Sequence, residues 1–276
     1  MSAAARLIAF AGLLALVFAV AAVAGDRAGW TPRTSDGEPK HGADDTMAGG
    51  HEGEAEAVHG LAVSEEGLTL ALDRTRLEPG RATTLRFRVV GKDGRVVRDF
   101  DVEHTKRMHV IVVRRDLSGF QHLHPTQDRD GSWRVALRLD DPGSYRVFAD
   151  FAVDGERHTL GADLAVDGAA FARPLPEPAR STTVDGYRVT LDDDGADELR
   201  FTVTRGGKPV AVEPYLGARG HLVALREGDL AFLHVHPDAD SLSFMAEFPS
   251  AGRYRLFLQF QHEGRVHTAE FTREVA

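Results

Sequence analysis

D-P-G-S-Y-R-V-F-A-D-F, residues 141–151, is where the fold is decided. Asp-Pro-Gly is turn chemistry, because proline presets one backbone angle and glycine accepts a left-handed one. The residues after the turn mix aromatic and β-branched side chains with polar ones, as a strand does. The stretch returns as S-A-G-R-Y-R-L-F-L-Q-F, residues 250–260. Tyr145 and Tyr254 each follow a Gly-x step, and they read as the structural tyrosine of a sandwich corner.

Working outward, short β-rich runs recur between breakers. They include L-T-L-A-L (68–72), T-L-R-F-R-V-V (84–90), H-V-I-V-V (109–113) and W-R-V-A-L-R-L (133–139). The breakers are Glu78-Pro79-Gly80, Lys92-Asp93-Gly94 and Asp130-Gly131. Outside the N-terminus no stretch keeps a helical period. The pattern predicts an all-β protein of antiparallel strands in a sandwich or barrel.

The repeat extends well beyond one strand. L-R-F-R-V-V-G-K-D-G-R-V-V (85–97) matches L-R-F-T-V-T-R-G-G-K-P-V (199–210), and G-E-R-H-T (155–159) matches G-R-V-H-T (264–268). M-H-V-I-V-V-R-R-D-L-S-G-F-Q-H-L-H-P (108–125) matches G-H-L-V-A-L-R-E-G-D-L-A-F-L-H-V-H-P (220–237). Two tandem Ig-like antiparallel β-sandwich domains are expected, over 60–168 and 184–276, joined by a Pro-rich linker at 169–183. Alternate prolines there favour an extended, semi-rigid spacer.

Residues 1–25 form a targeting segment. Arg6 precedes an uncharged apolar run over 7–24, and Ala22-Val23-Ala24 is a small-x-small cleavage site. The run is either a cleaved signal peptide or a retained membrane anchor, and both imply export to the periplasm or beyond. Residues 26–59 read as a flexible acidic tether. It holds His41, Met47, His51 and His59 among Asp44, Asp45, Glu52, Glu54 and Glu56, which makes it a solvated linker or a weak metal-collecting tail.

Composition excludes several functions. The 276 residues carry a formal charge of −9, which argues against a nucleic-acid partner. Cysteine is absent, so there is no disulfide framework, no thiolate site and no blue-copper centre. No nucleophile elbow, phosphate loop or catalytic carboxylate pair is present, and an enzyme is not expected.

Histidine is the outlier, at 13 residues. Four recur at matched positions in the two copies: His109 with His221, His122 with His234, His124 with His236, and His158 with His267. Alternation on a strand points His122 and His124 the same way, with Cα atoms about 7 Å apart. Several imidazoles without a thiolate suit copper or zinc. Met108 would favour Cu(I), but a neighbour on a strand faces away from His109, and the second copy has Gly220 there. The competing reading makes the histidines structural, knitting loops at strand ends. His104 and His262 have no counterpart and read as surface histidines.

The export segment, the cysteine-free sandwich and His-x-His-Pro resemble bacterial exported Ig-like proteins of the YtkA-like kind, associated with heavy-metal handling. The residues that carry this are Met108-His109, Phe120 to Pro125, Tyr145 to Phe151 and their second copies. Copper-resistance proteins of the CopC type are a looser parallel. Their N-terminal histidine is missing here, where the expected mature end is Gly25, so their site is not carried over. The resemblance implies an envelope compartment and this fold. The function expected is metal buffering or delivery, with a membrane transporter or envelope protein as partner. An Ig-like interaction module without metal is the alternative.

Overall fold

In the computed structural model, residues 58–276 are described, apart from 193–197, 234 and 238–239, with the backbone alone at 236 and 237. The expected targeting segment, 1–25, and residues 26–57 of the expected tether lie outside them. Among the described residues no helix is long and apolar enough to cross a membrane. Both repeats belong to one compact unit.

The first copy comprises β1 (Ser64–Glu65), β2 (Leu68–Leu72), β3 (Arg76–Leu77), β4 (Thr83–Val90), β5 (His109–Arg114), β6 (Gln121–Leu123), β7 (Thr126–Gln127), β8 (Trp133–Leu137), β9 (Gly143–Val153) and β10 (Glu156–Val166). One sheet runs β1-β2-β4-β8-β7, the other β3-β10-β9-β5-β6. The second copy comprises β11 (Ser181–Val184), β12 (Tyr187–Asp192), β13 (Glu198–Arg205), β14 (Lys208–Pro209), β15 (Gly220–Arg226), β16 (Phe232–Leu233), β17 (Val235–Pro237), β18 (Ser243–Ala246), β19 (Gly252–His262) and β20 (Arg265–Val275). Its sheets run β11-β12-β13-β18-β17, with β14 on β13, and β16-β15-β19-β20. Pairing is antiparallel except where β3 joins β10. The all-β tandem sandwich read from the sequence is therefore present, and β11 starts the second copy at Ser181, inside the expected linker.

The outer and inner sheets differ in a way the residues dictate. In β4, Leu85, Phe87 and Val89 are buried while Arg86 and Arg88 are exposed, the alternation of a sheet wetted on one face. In β5 all six residues are buried. Val110 and Val112 enter the core of the first sandwich. Ile111 and Val113 enter a separate cluster with Leu117, Phe148, Val223, Leu225, Leu230, Phe232 and Phe257. That cluster draws on β5 and β9 from one copy and β15 and β19 from the other. The inner sheets thus pack on each other, and four sheets stack in layers. Phe120 and Phe257 stack across the seam with ring centroids 4.0 Å apart. Burying one such ring contributes about 1.5–3 kcal/mol.

Other contacts fix the seam. The Arg114 guanidinium donates to Phe171 O (2.9 Å) and that of Arg253 to Pro176 O (2.7 Å), so the Pro-rich linker is strapped to both copies. The Phe232 N–H donates to His59 O at 3.0 Å. Gly60 is required at this point. Its φ is +75°, and an added Cβ would sit 2.7 Å from the Phe148 ring. The expected tyrosine corners form too: Tyr145 donates to Asp141 O and Tyr254 to Ser250 O, each at 2.8 Å.

Candidate metal centre between the two sandwiches

The parity that sends Ile111 and Val113 to the seam sends His109 there as well. His122 lies opposite Ile111 in the β5–β6 ladder and shares its face. His109, His122 and His124 bring ligand nitrogens within 4.8 Å of one another. The His124 ring lies 5.0 Å from His109 and 4.8 Å from His122, centroid to centroid. His221 of the second copy is 6.5 Å from His109 and 6.2 Å from His122 by the same measure. His109, His122 and His221 line one cavity of ≈ 70 Å³, together with His104, Glu103 and Asp150.

Hydrogen bonds decide which nitrogens carry protons. His109 Nε2 is 3.2 Å from Glu103 O. A carbonyl oxygen only accepts, so the proton of the neutral ring sits on Nε2 and leaves a lone pair on Nδ1. His122 Nδ1 is 2.7 Å from Gln259 Oε1, which places its proton on Nδ1 and its lone pair on Nε2. Those two lone-pair nitrogens, His109 Nδ1 and His122 Nε2, face each other at 3.0 Å. The Nε2 of His124 is buried without a hydrogen-bond partner. The second copy repeats the device: His221 Nε2–H donates to Tyr215 O at 2.9 Å, freeing Nδ1.

A proton is a poor bridge for this site. Burial first, then the charges of His109 and His124, hold the His122 pKa well below the usual imidazole value. Burial is also the main cause that lowers His124 and His221 to about 4. These rings are neutral at pH 7, the form that binds metal. Two nitrogens that share an ion at about 2.0–2.1 Å each sit about 3 Å apart or slightly more. The donor set therefore fits a borderline cation such as copper or zinc.

The remaining histidines lie elsewhere. His109 pairs with Asp150 across β5–β9, and His158 pairs with Phe151 across β9–β10. Adjacent residues on β9 face opposite ways, so His158 points into the sandwich core, 5.5 Å from the Phe151 ring. Its Nδ1 is 3.2 Å from the Glu66 carboxylate. His267 repeats this, opposite Phe260 and 2.7 Å from Asp185. Glu66 and Asp185 occupy the left-handed first position of two-residue hairpin turns, at φ 51° and 49°. His158 and His267 thus depart from the expected set: register places them on the other face of the sheet. Met108 is buried in the core with its back to His109. His234 lies outside the described residues, and His236 is located only as the β17 partner of Met245.

Two assignments missed from the sequence concern His104 and His262. His104 stands at the cluster, 5.4 Å from the His221 ring, rather than alone on the surface. His262 Nδ1 is 2.8 Å from the Tyr187 hydroxyl.

No curated protein matches the sequence. Among solved structures, the Lin-41 filamin domain is 14% identical, with 38% of this chain and 97% of that one covered at a TM-score of 0.26. The Escherichia coli adhesin FdeC is 15% identical, covering 78% of this chain and 66% of that one at 0.27. An Escherichia coli alpha-2-macroglobulin activated by porcine elastase is 15% identical over 76% of this chain, at 0.28, and the match spans 20% of its own length. Residues 62–168 and 182–276 each match one family model, so both repeats carry the same domain, and the chain belongs to the family described as Domain of unknown function (DUF8832).

Proposed function

We propose that the chain is an exported metal-binding protein that holds a copper or zinc ion between its sandwich domains. His109, His122 and His124 supply the nitrogens, and His221 approaches from the second copy. The observation that carries this reading is the meeting of the His109 Nδ1 and His122 Nε2 lone pairs at 3.0 Å. Left to themselves they repel; a cation between them turns the contact favourable. Glu103 O and Gln259 act behind the ligands, fixing the tautomer of each ring. The leader read in residues 1–25 puts this work in the envelope, as metal buffering or delivery to a membrane transporter or envelope protein.

A second reading turns the Gln259 amide over. The amide would then donate to His122 Nδ1, His122 Nε2–H would donate to His109, and the seam would be knit without metal. The chain would be an Ig-like interaction module. Asp150 occupies the Gln259 position in the first copy and accepts from Thr159 at 2.8 Å. In the second copy the Gln259 amide nitrogen donates to the equivalent Thr268 Oγ1 at 3.2 Å, which leaves its oxygen toward His122.

The deciding experiment titrates the purified chain with Zn(II) and Cu(II) and reads histidine nitrogen shifts of the metal-free protein. At least one tight ion per chain, with a proton on His122 Nδ1, is expected. No bound ion, with the proton on His122 Nε2, would establish the second reading.

A further inference from the structure

The turn before β5 carries more than the lock on His109. Glu103 and Lys106 bridge around His104 and Thr105, and Tyr215 and Ala218 bridge around Leu216 and Gly217 in the second copy. In both copies the first residue of the turn lends its carbonyl to the histidine six positions on. Both central residues are left-handed, with φ of 47° and 67° at His104 and Thr105, and 52° and 84° at Leu216 and Gly217. The second copy meets that demand with a glycine. The first places β-branched Thr105 there, a strained choice, and puts an imidazole where the second copy has leucine.

That imidazole is well placed. His104 is half-buried, lines the same cavity as His109, His122 and His221, and stands edge-on 5.4 Å from His221 and 6.3 Å from His109. His109 itself is buried. His221 has a lone pair on Nδ1, because its proton is committed to Tyr215 O. Of the rings that line the cavity, His104 is the least enclosed and His109 is buried, so an ion entering from the His104 side meets that ring before His109.

Resting on the metal reading above, we infer that His104 and His221 form an outer two-imidazole docking position for the same ion, from which it passes to His109, His122 and His124. Both rings bind as neutral donors. The ion exchanges one nitrogen for the next, sheds water as it moves inward, and no bond within the protein breaks. Copper or zinc suits this role, since either accepts a two-imidazole set completed by water.

The test is zinc exchange kinetics in the full chain. His104→Leu gives the first copy the side chain of the second, and His104→Asn keeps a residue at ease in the left-handed region. For both variants, equilibrium zinc affinity should stay within about threefold of the parent. Loading by stopped flow, and release to a fluorescent chelator, should each slow about tenfold, the loss of one ligand from a stepwise exchange. Unchanged rates in both variants would overturn the outer position and leave the inner site standing. Affinity lost in step with the rate would overturn it too, by making His104 a member of the inner set. A parent chain that binds no zinc would fail both readings.

Discussion

The two faces of one sheet treat histidine in opposite ways. On the core face, the Nδ1 atoms of His158 and His267 each meet a carboxylate presented by a hairpin turn, at 3.2 and 2.7 Å. On the seam face, His109, His122 and His221 spend their protons on oxygens behind them, and His109 and His122 turn lone pairs toward each other. The residue type is the same, and so is its retention in both repeats. What differs is whether the polar partner stands in front of the ring or behind it. Retention alone therefore does not identify a ligand; the direction of the lone pair does.

The comparison breaks first at the seam. His122→Ala with His124→Ala should lower zinc or copper affinity by more than about 100-fold, since direct ligands matter more than the groups behind them. Isothermal titration checks this, and unchanged stoichiometry would end the claim that the two faces differ. Next, His267→Ala should cost about 2 kcal/mol in unfolding free energy, through a lost buried hydrogen bond and the space left beside Tyr187. Bound metal per chain should not change. Gln259→Leu should act in the opposite sense, keeping the fold while affinity falls about 10- to 100-fold, because His122 then loses the oxygen that fixes its tautomer.

How much of this could be read beforehand depends on the distance along the chain. The outer strands declared themselves through alternation, as in T-L-R-F-R-V-V, whereas the near-continuous H-V-I-V-V was read as one more strand, without its cover on both faces. What covered it was not legible, because only the fold brings the second copy's equivalent strand against it. The shared direction of His122 and His124 came from parity alone. The direction of His158 was half available: Asp154-Gly155 is a two-residue turn that sets Val153 opposite Glu156, and hence His158 opposite Phe151. Relating Asp150 to His109 needed the β5–β9 register, across a long connection that no local rule fixes. His104 escaped because comparing repeats discards whatever one copy lacks, and its own copy puts it to use.

Acid should weaken the seam without its metal. The folded-state pKa values of His124 and His221 are about 4, lowered mainly by burial, against about 6.5 in the unfolded chain. Those of His122 and His104 are lowered in the same direction, again chiefly by burial. Between these limits the unfolded chain binds more protons, so stability falls as pH drops from about 6.5 toward about 4. Thermal melts across that window check the sign. A melting temperature independent of pH there would mean that the seam rings are charged or wet, and that the two faces are alike after all.

The smallest effect concerns Met108, a soft donor one residue from His109. Its side chain is buried in the first sandwich core, on the other side of β5 from the cluster. Leucine has a similar volume, so Met108→Leu should change stability by less than about 1.5 kcal/mol. It should leave the ratio of Cu(I) to Zn(II) affinity where it was, because a thioether that faces away donates nothing to the ion. Competition titrations of the two metals in parent and variant measure that ratio directly. A fall in Cu(I) preference on substitution would require the thioether to reach the seam, which β5 can allow only by rotating Met108 out of the core and His109 into it. The lone-pair arrangement would then belong to one state of a strand with two, and the division between the faces would no longer hold.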